Sequence, residues 1–122
     1  MDNIQRFIAY TKINTQSDDT SETSPSTTCQ LDLSRLLVKE LKELGLKDAF
    51  LEFGVVYAHL PGEGEKIGLN AHVDTALEVT DINVKPQIIY NYDGKDFKLN
   101  EKYTLSVNQF PGLKNHIGHD LV

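Results

Sequence analysis

Leu33, Leu36, Leu37, Leu41 and Leu44 recur every three or four residues, while Lys39, Glu40, Lys42 and Glu43 fall between them. That period places one apolar stripe along a helix with a charged opposite face. Gly45 follows where a left-handed residue ends a helix, and Ser26 or Thr27 stands where a hydroxyl can cap its start. A shorter stripe, Ile4, Phe7 and Ile8, predicts an amphipathic helix within residues 2–12 that ends near Asn14. Between the two, residues 15–28 are mostly Ser, Thr, Asp and Glu around Pro25, a composition that satisfies its own backbone and reads as a surface loop.

After the second helix the period changes. Residues 49–60 are rich in Phe, Val, Leu and Tyr, with Gly54 marking a turn or bulge between two strand segments. Pro61-Gly62-Glu63-Gly64-Glu65 is a turn signal, and the apolar run 67–71 that follows predicts a further strand. Residues 83–100 read as an extended piece, a tight turn at Asp93-Gly94 and another strand. Phe110-Pro111-Gly112 is a turn, and residues 116–122 look like the opening of a strand. Helices alternating with strands in this way predict an α/β layer architecture with helices packed on a mixed sheet, in which ligands gather at strand ends. No internal repeat or low-complexity linker divides the 122 residues, so one domain is expected.

Composition narrows the functional classes. Twelve basic against 18 acidic residues give a net charge of −6, which opposes binding to a phosphate backbone and excludes nucleic acid as an expected partner. Apolar runs fall well short of the roughly 20 residues that a membrane span requires. The start, Met-Asp-Asn-Ile-Gln-Arg, has neither the basic nor the apolar region of a secretory signal, and Cys29 is the single cysteine. A cytoplasmic protein with an unreactive thiol is the expectation.

Candidate chemistry sits at the end of the 67–71 run, in His72-Val73-Asp74-Thr75. In an extended chain residues i and i+2 share a face, so the imidazole and the carboxylate point the same way. Neutral imidazole is the commonest metal ligand, and a neighbouring carboxylate fixes its tautomer by accepting the other ring N–H. A structural histidine bonded to its neighbour gives the same spacing, and a catalytic zinc takes three protein ligands. His116 and His119 are spaced i, i+3, but Gly118 and Pro111-Gly112 argue against a helix there and leave them as surface histidines. His59 alternates with Tyr57 and Val55 and reads as structural, and Asp18, Asp19 and Glu22 lack calcium-loop spacing.

Taken in order, Asn14-Thr15-Gln16-Ser17, Pro25-Ser26-Thr27, Tyr57-Ala58, Leu60-Pro61-Gly62, His72-Val73-Asp74-Thr75, Asn83-Val84-Lys85-Pro86-Gln87 and Asn91-Tyr92-Asp93-Gly94 resemble the peptidase T family, tripeptide aminopeptidases among the dinuclear-zinc metallopeptidases. The resemblance runs the length of the chain and spans the N-terminal part of the family's. It implies a phosphorylase/hydrolase-like catalytic domain, two zinc ions as cofactor and short peptides, tripeptides above all, as substrate. It makes His72 a zinc ligand and places Asp74 in the catalytic machinery, as the carboxylate that holds and polarises His72. By the family pattern the bridging aspartate, the Glu-Glu pair, the other ligands and the lid or dimerisation domain lie beyond Val122. Residues 1–122 are then an N-terminal fragment of a catalytic domain, expected to hold at most one zinc weakly and to be inactive alone. Exposed apolar surface would favour association with further copies or with a complementary C-terminal chain. The alternatives are a fragment of another zinc-dependent amidohydrolase, a dipeptidase or deacylase, and a non-catalytic truncated product.

Overall fold

The computed structural model describes residues 2–122. They form two compact units, one ending at Val84 and one spanning Lys85–Val122.

In the first unit, helix α1 spans Asn3–Tyr10 and is opened by a capping box. Asp2 Oδ1 accepts from the Gln5 N–H at 2.7 Å, and Gln5 Oε1 accepts from the Asp2 N–H at 3.2 Å. Two orphan donors of the first turn are thereby satisfied reciprocally. Helix α2 spans Gln30–Glu43, as the leucine period requires. Its C-terminus closes with Gly45 at φ +99°, Gly45 N–H on Lys42 O (3.0 Å) and Leu46 N–H on Leu41 O (3.0 Å), the paired bonds of a left-handed glycine cap.

Its N-terminus differs from expectation. The cap position is Cys29, which makes no side-chain bond to the helix backbone. Ser26 and Thr27 do not cap, because tertiary partners occupy their hydroxyls. Ser26 Oγ accepts from the Asp18 N–H (3.1 Å) and from Gln30 Nε2 (3.0 Å), and Thr27 Oγ1 donates to Gln16 O (2.6 Å). The polar loop is stitched to the helix rather than loose.

Strands β1, Phe50–Glu52, and β2, Val55–Tyr57, pair antiparallel with Phe50 opposite Tyr57 and Glu52 opposite Val55. Phe53 (φ +48°) and Gly54 (φ +81°) form the two-residue turn, whose doubly left-handed backbone matches strand twist. The hairpin packs on α2. Buried Leu33 and Ala49 and half-buried Leu51 and Val56 form the small core, and Ser34 Oγ donates to Gly54 O at 3.4 Å. The helices meet at Glu40, which accepts the Tyr10 hydroxyl and lies 3.0 Å from Arg6 Nε. The Arg6 N–H is not aimed at that oxygen, so this is an ion pair without a hydrogen bond.

Two expectations are corrected here. The apolar run 67–71 is extended but is not a strand: residues 61–74 make no backbone–backbone hydrogen bond, and Ile67 and Leu69 are 86% and 95% exposed. A strand exists only where a neighbour satisfies its N–H and C=O groups, and no described segment does so. In place of one mixed sheet, the named strands form two separate two-stranded antiparallel sheets. Parallel pairing is limited to a bridge between Gln16 and Thr75. The architecture is a small mixture of helix and strand.

In the second unit β3, Phe97–Lys98, pairs antiparallel with β4, Thr104–Leu105. Asn100 Oδ1 shapes the connecting loop by accepting from the N–H groups of Lys102 (2.8 Å) and Tyr103 (2.9 Å). The expected turn at Asp93-Gly94 is present, with Gly94 at φ +81°. Ile89 and Leu121 exchange two backbone bonds of 2.9 Å, so the last residues do pair as the opening of a strand would. Tyr92 is buried between these segments, its hydroxyl donating to Lys95 O at 2.6 Å. Burial, then Asp93 and Asp96, push that hydroxyl's pKa upward. A 3-10 helix, Pro111–His116, precedes the closing segment.

Candidate metal half-site

His72 stands at the end of the unpaired 61–74 segment, facing Asp74. Its Nδ1 lies 3.0 Å from Asp74 O and 3.2 Å from Asp74 Oδ1. Both neighbours are acceptors, so in the neutral imidazole Nδ1 carries the proton and Nε2 keeps its lone pair. The Nε2 atom takes part in no hydrogen bond among the described residues. The His72 side chain is 85% exposed and that of Asp74 43%, so the lone pair is open to a ligand. This is the donor arrangement of a metal-binding histidine oriented by a carboxylate, and it fits one ligand position of a zinc ion.

The segment gains its first fixed point at Thr75. Thr75 N–H donates to Thr15 O (3.2 Å), and Thr75 O accepts from Ser17 N–H and Ser17 Oγ, both at 3.0 Å. Gln16 Nε2 reaches over the following turn to Leu77 O and Val79 O, each at 3.3 Å. In turn Asn14 Oδ1 accepts from Gln16 N–H at 3.0 Å. Residues 14–17 are thus the strut on which the His72–Thr75 stretch is mounted. An open groove of about 1140 Å³ runs beside it, lined by Phe7, Leu33, Leu37 and Leu41 as well as by His72 and Asp74.

The remaining candidates do not join this pair. Among the described residues no group of three or more His, Cys, Asp or Glu side chains is placed to hold a metal. His116 and His119 approach edge to face with ring centroids 5.6 Å apart, both exposed, and have no third donor. Asp18 is turned inward on its own loop, where the hydroxyl and N–H of Thr20 hold its carboxyl below the usual range. His59 is exposed, its N–H donating to Asp48 Oδ1 at 3.4 Å. Cys29 Sγ lies 3.1 Å from Thr27 Oγ1 and 3.4 Å from Asn14 Oδ1.

Sequence reasoning missed Asp81. It is buried, and its Oδ2 accepts from Thr15 N–H (2.6 Å) and Thr75 Oγ1 (2.8 Å). Nothing in the local pattern distinguishes it from the solvated carboxylates of a polar stretch, because its partners are 66 and 6 residues away.

No protein-family model matches the chain. Full-length relatives do. Peptidase T of Bacillus subtilis (strain 168) is 52% identical over 126 residues, covering 98% of this chain, and that of Bacillus licheniformis is 50% identical over the same span. Peptidase T of Geobacillus kaustophilus (strain HTA426) is 48% identical, again over 98% of the chain. The chain is homologous to an N-terminal portion of peptidase T. It spans 31% of the length of these curated relatives. No helix among the described residues is long and apolar enough to cross a membrane.

Proposed function

We propose that residues 1–122 contribute one zinc ligand and its orienting carboxylate to the dinuclear site of a peptidase T, which releases the N-terminal residue from tripeptides in the cytoplasm. The observation that carries this is the His72–Asp74 pair, with Nδ1 engaged and Nε2 free. His72 would hold the metal through Nε2, and Asp74 keeps the imidazole in the tautomer that presents this lone pair. Zinc bound there would polarise a scissile carbonyl and lower the pKa of a bound water. Asp74, itself partly exposed, has an acceptor oxygen beside the ring and stabilises whatever positive charge the imidazole gains.

The pair alone falls short of the usual three protein ligands. The missing donors and the glutamate that would move a proton from water to the leaving amine belong, in this reading, to the part of the relatives' length that the chain does not cover. In that reading the first unit is part of a phosphorylase/hydrolase-like catalytic domain, and a complementary C-terminal chain is the fitting partner. The 122 residues by themselves bind zinc weakly and do not turn over peptide.

Zinc titration of the 122-residue chain, alongside a tripeptide hydrolysis assay with and without chelator, tests both statements. Zinc uptake that His72→Ala abolishes supports the ligand assignment, and uptake indifferent to that change would remove it. Chelator-sensitive turnover by the chain alone would show that no further ligands are needed.

A further inference from the structure

The His72–Asp74 pair hangs from a segment with no backbone–backbone bonds over residues 61–74, so its orientation depends on what grips the chain immediately after it. Thr75 is gripped on three sides: through its N–H, through its carbonyl and through its hydroxyl. The hydroxyl and the Thr15 N–H converge on one atom, Asp81 Oδ2, at 2.8 and 2.6 Å. A single carboxylate oxygen therefore ties together the two segments that the Gln16–Thr75 bridge joins.

Asp81 is an odd choice for stability alone. The residue is 8% exposed, its Oδ1 has no donor among the described residues, and no ion pair involves it there. Burying a carboxylate with an idle oxygen and no counter-charge is costly. What the residue supplies is a doubly accepting oxygen at the one place where the end of the metal-binding stretch meets its strut.

We propose that Asp81 is a positioning residue for the His72–Asp74 pair: by clamping Thr75 to Thr15 it fixes the backbone from which Asp74 projects, and so selects the imidazole tautomer that leaves Nε2 free. Its value to catalysis rests on the zinc reading above. The clamp itself is a property of the metal-free chain.

The test is the tautomer of His72, read from long-range ¹H–¹⁵N correlations of the histidine-labelled 122-residue chain without metal, at a pH where the ring is neutral. The wild type is expected to show the Nδ1–H form. Asp81→Ala leaves both donors without an acceptor and is expected to lose that signature, giving the mixture of a free imidazole while the amide signals of α2 stay dispersed. Asp81→Asn keeps an oxygen that accepts both bonds and is expected to restore it. A purely structural role would lower the unfolding midpoint of Asp81→Ala without moving the tautomer, and that result overturns the proposal, as does an Asp81→Asn that behaves like Asp81→Ala. Should Asp81→Ala unfold, Thr75→Val removes only the hydroxyl donor at nearly constant shape, and an unchanged His72 tautomer in it is equally fatal. Adding zinc chloride to the wild type separates the two readings. Absence of any shift at His72 would remove the zinc ligand while leaving the clamp standing.

Discussion

His72 and Asp74 meet twice through one atom: Nδ1 lies 3.0 Å from the backbone carbonyl of Asp74 and 3.2 Å from its carboxylate oxygen. The carbonyl contact survives removal of the carboxylate, so the two functions of the partner, orienting the ring and raising its basicity, are separable. Asp74→Asn is expected to weaken zinc binding about 10-fold, at the lower end of what the loss of such partners costs, with His72→Ala abolishing it. Calorimetric titration of both variants checks the ratio.

Gly54 leaves no room for a side chain. A Cβ there would fall 2.7 Å from Pro25 Cδ, and its φ of +81° is strained for any L residue. The proline ring has no flexible end to move aside. Gly54→Ala is expected to destabilise the first unit by about 2–4 kcal/mol, combining a left-handed backbone with overpacking. Urea denaturation followed by far-ultraviolet circular dichroism measures it.

Tyr10 is pushed up to about 12, first by burial and then by its hydrogen bond to Glu40 and that carboxylate's charge, with Arg6 opposing. The folded state therefore favours the neutral phenol. Its contribution is complete below the usual value of 10.0 and is lost as the pH rises through about 12. Between these values the stability of the wild type is expected to fall more steeply than that of Tyr10→Phe. At neutral pH the substitution should cost about 1 kcal/mol, below the usual range for a bond to a charged group because the site is half-exposed and screened. Thermal melts of both proteins at neutral pH and above pH 10 give the comparison.

Lys66 lies within the 61–74 segment, exposed and without backbone–backbone hydrogen bonds on either side. Proteases cut where local opening costs least. Brief trypsin treatment is expected to cleave after Lys66 before it cuts at Lys39 or Lys42 within α2, and mass spectrometry of the first fragments identifies the bond.

Several elements were legible because they are closed locally. The leucine period, the glycine cap of α2 and the Phe50–Tyr57 hairpin each depend on residues within a few positions of one another, so pattern and outcome coincide. The same holds for the facing of His72 and Asp74, two residues apart. The 67–71 run failed as a strand for the converse reason. Apolar character makes a segment suitable for pairing, but pairing is a property of two segments.

Sequence by itself determined the kinship with peptidase T and the presence of an imidazole beside a carboxylate. It also determined the helices and hairpin, whose hydrogen bonds connect near neighbours. Only the tertiary structure decided that Ser26 and Thr27 would bind the loop instead of capping α2, that residues 61–74 would run unpaired, and that Asp81 would be buried under Thr75. Each of those outcomes turns on donors and acceptors brought together from distant positions, where desolvation makes an unmatched polar group costly and so selects partners that no local period encodes.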